Sequence, residues 1–216
     1  MNKISIPKYS LSEEIINSIT HGIGSLLSIF ALIILIIKAS NISMLATIST
    51  IIFGTSMVCL YTISCIYHAL SPNIMAKKVL RVLDHCNVFM LVFGTIIPVS
   101  LLGIRGVWGW VFFSIVLVTT TTGIIFTAIN VDKYIKVSLI CHLLNGWSVL
   151  IFSYFLFKNI GLIGLLLIII GGIMYSIGSC LYIIGSRIKY IHSLFHLFCL
   201  FGTFFHFLSI YFYILY

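Results

Sequence analysis

The chain has 216 residues, of which 61% are hydrophobic and 7% charged, with a formal net charge of +8. A soluble domain of this size is about half apolar and about a quarter charged, so the composition excludes a soluble enzyme and leaves one all-α integral membrane domain over residues 1–216. The basic residues sit in short loops between apolar runs, with no basic stripe interleaved with aromatics. That pattern excludes nucleic acid as a partner and points to topology signals and membrane lipids.

A membrane-crossing helix needs about 20 apolar residues. Seven runs of that kind are predicted, at 17–38, 43–68, 83–102, 107–128, 138–157, 160–184 and 191–214. The first apolar run, Ile15 to Ile37, is too long for the hydrophobic part of a cleavable signal. In front of it, Glu14, Asn17 and His21 share one helix face. They read either as helix-entry chemistry, with Ser12 as the N-cap, or as polar support for a site. The glycines Gly161, Gly164, Gly171, Gly172, Gly178 and Gly185 recur through the sixth run. Small residues let membrane helices approach closely, so these are expected packing positions. The six cysteines include no CxxC pair, and the expectation is reduced thiols serving as small buried hydrophobes.

Orientation follows from Lys and Arg counts. The N-terminal tail and every second loop carry Lys3, Lys8, Lys77, Lys78, Arg81, Lys133, Lys136, Arg187 and Lys189; the other side carries Lys38, Arg105 and Lys158. By the positive-inside rule the N-terminus is cytoplasmic and the C-terminus lies outside.

This topology gives depth to the few polar residues inside apolar runs, which cost several kcal/mol each in a bilayer by estimates that range widely. The second span ends, and the third and seventh begin, on the cytoplasmic side. His68 and Ser64, Asp84 and His85, and His192 and His196 therefore lie at one level. Residues four apart share a helix face, which pairs Ser64 with His68 and His192 with His196. Three imidazoles from two helices supply three corners of a tetrahedron around Zn²⁺. The fourth corner is left for a water whose pKa falls toward about 7. Asp84 is expected to hold that water as a base and Ser64 to orient a ligand or donate to a developing oxyanion. Adjacent helical residues point about 100° apart, so one of Asp84 and His85 is expected to face the site, and Asp84 is the choice. The four acidic residues, Glu13, Glu14, Asp84 and Asp132, are too few for a channel of carboxylate rings or a carboxylate proton relay.

The segments EEIINSITHGIG (13–24), ISCIYHAL (63–70), LRVLDH (80–85), GGIMYSIG (171–178) and HSLFHLFCLFGTFFHF (192–207) resemble the hemolysin III family, which groups with the progestin and adipoQ receptors. The resemblance runs over essentially the whole chain and implies seven helices with the N-terminus inside. It also implies a zinc site near the cytoplasmic face. The family's SxxxH maps to Ser64 and His68, its aspartate to Asp84 and its HxxxH to His192 and His196. The histidines are the implied ligands, with the aspartate acting through water. His206 matches a further histidine without an implied ligand role. The eukaryotic relatives resemble ceramidase-type amidases, which implies hydrolysis of a lipid amide or ester. Two rival expectations are a non-enzymatic, zinc-stabilised membrane sensor and a membrane-lytic protein. An Ile- and Lys-rich, Ala-poor composition in a compact chain points to the plasma membrane of a bacterium.

Overall fold

The computed structural model describes residues 4–185 and 187–216; Lys3, counted in the orientation reading, lies outside them. The described residues are helical, with no strand among them. The α-helices are α1 (Leu11–Ser40), α2 (Met44–Ala69), α3 (Met75–Pro98), α4 (Gly106–Ile129), α5 (Val131–Trp147), α6 (Ser153–Gly185) and α7 (Ile191–Ser209). Among the described residues, six stretches are long and apolar enough to cross a membrane. One of them, Val131–Gly185, has 55 residues and contains both the fifth and the sixth expected spans. They run together through a 3₁₀ stretch, Ser148–Phe152, and are separated by backbone geometry instead of a polar loop: Gly161 sits at φ 71°, ψ 178°. Glycine takes that conformation without the Cβ penalty other residues meet.

Several helices begin well before the apolar runs, α1 at Leu11, α3 at Met75 and α5 at Val131. Hydropathy registers only residues suited to hydrocarbon, whereas backbone hydrogen bonding continues into the polar layer. The start of α1 also differs from expectation. Ser10, not Ser12, is the N-cap, in a capping box with Glu13. The Ser10 backbone N–H donates to Glu13 Oε2 at 2.9 Å, which satisfies donors that helix formation leaves free.

The side-chain distribution is that of a membrane protein, with large apolar residues outward and polar residues inward. On α1, Ile15, Ile19, Ile23 and Leu26 are exposed while Glu13, Asn17, His21 and Ser28 are buried. Close helix contacts occur where glycine was expected to allow them. A Cβ on Gly164 would meet Tyr213, one on Gly171 would meet the His206 ring and the Gly202 carbonyl, and one on Gly185 would meet the His192 backbone. Gly161 is the exception among the predicted packing glycines, with nothing within 4 Å; its role is the break in the helix. All six cysteines are free, but only Cys199 is buried, and Cys180 is exposed on the apolar exterior.

Pro98 cannot donate a backbone hydrogen bond, and α3 passes there into a π-helical stretch, Val99–Ile104. The loss of one donor is a recognised cause of such irregularity. A π-helical stretch, Ile210–Ile214, also ends α7, and Lys38 from the end of α1 donates to the Tyr211 carbonyl within it at 2.7 Å. At the opposite end of the bundle the start of α1, the end of α2 and the starts of α3 and α7 meet. The site lies there.

Candidate metal centre

Helix periodicity places the histidines. His192 and His196 stand one turn apart on the buried face of α7, their Nε2 atoms 3.2 Å apart. His68, buried on the last turn of α2, faces them, its ring centre 5.4 Å from that of His192 and 4.9 Å from that of His196. Each of the three offers one ring nitrogen, and all three nitrogens fall within 4.8 Å of one another. Two nitrogens bound to one tetrahedral Zn²⁺ at about 2.0–2.1 Å stand about 3.3 Å apart, close to the His192–His196 spacing. His68 Nε2, His192 Nδ1 and His196 Nδ1 are buried without a hydrogen-bond partner among the described residues. Buried polar atoms are normally satisfied. A nitrogen left free beside two other imidazoles therefore fits a cation, and a set of three neutral nitrogen donors fits zinc. These residues form a buried cluster able to bind a metal ion.

The second nitrogen of His68 is engaged. Its Nδ1–H donates to Glu14 Oε2 at 2.6 Å, and the other Glu14 oxygen accepts from Lys77 Nζ at 2.5 Å. Lys77 also donates to the Leu70 carbonyl at 2.9 Å. Hydropathy assigns Lys77 and Arg81 to a cytoplasmic loop, yet both belong to α3 and are 0% and 3% exposed. Arg81 pairs with Asp132 at 2.6 Å, and Asp132 also accepts from the backbone N–H and the hydroxyl of Ser5 at 2.9 Å. Only a count of basic residues that also asked what balances them inside an apolar bundle would have flagged this pair.

Asp84 and Ser64 line the same cavity as His192 and His196. Asp84 stands outside the three-histidine cluster, and Ser64 is buried. His85, the other member of the adjacent pair, lines the cavity too. Both His85 nitrogens are occupied: Nδ1–H donates to the Arg81 carbonyl at 2.8 Å, and Nε2 accepts from the Tyr182 hydroxyl at 2.9 Å.

His21 is buried and stacks on His196, ring centres 3.7 Å apart and planes at 14°. Asn17 accepts from the Ser193 hydroxyl at 2.6 Å. The α1 stripe is therefore polar support against α7, and Glu13 extends it by accepting the Tyr190 backbone N–H at 2.9 Å. Tyr190 has φ 64°, an outlier for a bulky residue. His142 packs on Phe89 with ring centres 3.7 Å apart, and His206 Nε2–H donates to the Ile168 carbonyl at 3.1 Å. Neither joins the cluster.

The cavity, about 180 Å³, has a mostly apolar wall. On α3 it extends from Arg81 through Asp84 and into the π-helical stretch as far as Val99, a length of about 27 Å at the helical rise. It thus extends along much of α3, with His192 and His196 among the residues that line it. Sequence reasoning missed Tyr9. Its ring stacks on His192, centres 4.8 Å apart and planes at 20°. Burial pushes the Tyr9 phenol above its ordinary pKa, because the charged form loses water there.

Comparison with known proteins finds relatives over most of the chain. The family described as Haemolysin-III related matches residues 9–207. The chain is 37% identical over 207 residues to Hemolysin-3 of Bacillus cereus, covering 95% of this chain and 93% of that protein. It is 36% identical over 196 residues to the Hemolysin-3 homolog of Bacillus subtilis (strain 168), covering 90% and 91%.

Proposed function

This chain, a multi-pass membrane protein, belongs to the Haemolysin-III-related family, and from that premise we propose that it is a zinc-dependent hydrolase acting on a lipid amide or ester in membrane-lipid homeostasis. The observation that carries the reading is the convergence of His68, His192 and His196, the last two of which line a long, mostly apolar cavity. The proposal includes seven spans with the N-terminus in the cytoplasm and the C-terminus outside. Val131–Gly185 at 55 residues would be about 83 Å long if straight, far beyond one hydrocarbon core of about 30 Å, and Gly161 supplies the division into two. The excess of Lys and Arg on alternate connections supports the orientation.

In this reading His68, His192 and His196 hold Zn²⁺. Bound there, the ion supplies Lewis acidity, lowering the pKa of water and polarising a carbonyl. Asp84 lines the cavity outside the ligand set, where a carboxylate is placed to take a proton from attacking water and return it to the leaving group. The Ser64 hydroxyl, four residues before His68, donates to the charge that develops on the carbonyl oxygen. The apolar passage between α3, α5 and α6 takes a hydrocarbon chain and positions the polar head beside Asp84. Tyr9 and Pro7 line the cavity at the histidine end and limit water there.

The test is hydrolysis of ceramides, other N-acyl lipids and lysolipids by purified zinc-loaded protein in lipid nanodiscs. Release of fatty acid that disappears in His196→Ala is expected. A stoichiometric zinc protein that turns over none of these, with His196→Ala indistinguishable from it in cells, overturns the hydrolase reading.

A further inference from the structure

The three-histidine reading leaves unexplained a half-buried carboxylate and a fully buried ammonium beside it. Glu14 on α1 and Lys77 on α3 are brought together at the end of α2, where no apolar interior would tolerate either alone. The pair is not an isolated ion bridge. One Glu14 oxygen takes the Lys77 ammonium at 2.5 Å, and the other takes His68 Nδ1–H at 2.6 Å. Lys77 is in turn fixed by the Leu70 carbonyl just past the end of α2. Three helices are thus joined through one carboxylate, and at the end of the chain Lys77–Glu14–His68 the His68 Nε2 atom is buried without a partner among the described residues.

We infer that Glu14 is the positioning residue of the metal centre: it fixes the His68 tautomer and ring orientation so that Nε2 presents its lone pair toward His192 and His196. This rests on the three-histidine reading above and deepens it. A neutral imidazole carries its single proton on one of two nitrogens, and the partner of that proton decides which. An acceptor-only carboxylate on Nδ1 leaves Nε2 without a proton. The carboxylate also raises the electron density of the ring, which strengthens it as a ligand. Removal of such a partner typically weakens metal binding 10–100-fold. Lys77 has a separate role. By holding the second oxygen, it keeps Glu14 turned toward His68 and balances its charge, so the carboxylate supports a ligand and does not become one.

Zn²⁺ affinity by chelator competition, with the absorption spectrum of the Co²⁺-substituted protein, tests this in purified wild type, Glu14→Ala, Glu14→Gln and His68→Ala. Glu14→Ala is expected to bind Zn²⁺ about 10–100-fold more weakly and to shift the Co²⁺ bands, which report ligand geometry and do not respond to a loss of helix packing alone. Glu14→Gln keeps an acceptor oxygen without the charge and is expected to lose less. Being isosteric, it carries the measurement if Glu14→Ala does not fold. Wild-type affinity and an unchanged Co²⁺ spectrum in the Glu14 variants, with His68→Ala strongly weakened, overturn the role of Glu14 and leave the histidine site standing. A wild-type protein that retains neither metal overturns both.

Discussion

The Tyr9 ring lies over His192, 4.8 Å between centres and 20° between planes. A residue ahead of the first helix thereby covers an imidazole on the last one. The tail is held by Ser5, whose backbone and hydroxyl both bond Asp132, and Asp132 is held by Arg81. Pro7 and Tyr9, which precede α1, line the histidine end of the cavity.

Tyr9→Ala removes this cover. Release of Zn²⁺ to an excess of chelator is expected to quicken several-fold. Stability falls by about 1 kcal/mol, the scale of an aromatic pair. Stopped-flow chelator exchange and thermal unfolding measure the two separately; unchanged release would show that metal leaves by another route.

Asp84 lines the cavity without belonging to the three-nitrogen cluster. Asp84→Asn is therefore expected to retain stoichiometric Zn²⁺ while hydrolysis drops about 10²–10⁴-fold, the contribution of a general base. Elemental analysis and turnover of the same preparation decide it. Full activity in Asp84→Asn would remove Asp84 from the role of general base.

A metal that binds only the folded state stabilises it by mass action. Zn²⁺ held at about 100 times its dissociation constant adds about 2.7 kcal/mol. Thermal unfolding in detergent is expected to shift upward with Zn²⁺ and back with a chelator. His196→Ala should respond to neither.

Gly185 faces the His192 backbone, where an added Cβ would lie 3.0 Å from the amide nitrogen and 3.1 Å from Cα. Gly185→Ala must push the start of α7 away from α6. A loss of about 1–3 kcal/mol is expected from such overpacking, together with weaker Zn²⁺ binding because His192 moves. Gly172→Ala is the control: its nearest neighbour is the Trp147 ring at 3.5 Å, and both properties should stay near wild type.

The membrane class and most helices were legible because hydrocarbon solvent imposes a strong, local rule on every residue that touches it. The histidines were legible for the converse reason, since an imidazole at depth contradicts that rule and its i, i+4 spacing fixes its face. Ser10 and Lys77 were not legible. The N-cap depends on which backbone donors the first turn leaves open, and Ser10 and Ser12 look alike before the turn forms. Lys77 reads as a loop cation until α1 brings Glu14 against it.

Composition and period by themselves determined an all-helical membrane chain with His68, His192 and His196 on inward faces, because solvation and the 3.6-residue repeat act within one segment. Only the tertiary structure decided that Glu14 bonds both His68 and Lys77, that the Tyr9 ring stacks on His192 and that Gly161 breaks a 55-residue helical run. Those facts depend on which helices stand side by side, and a contact between residues far apart in sequence leaves no periodic trace in either segment.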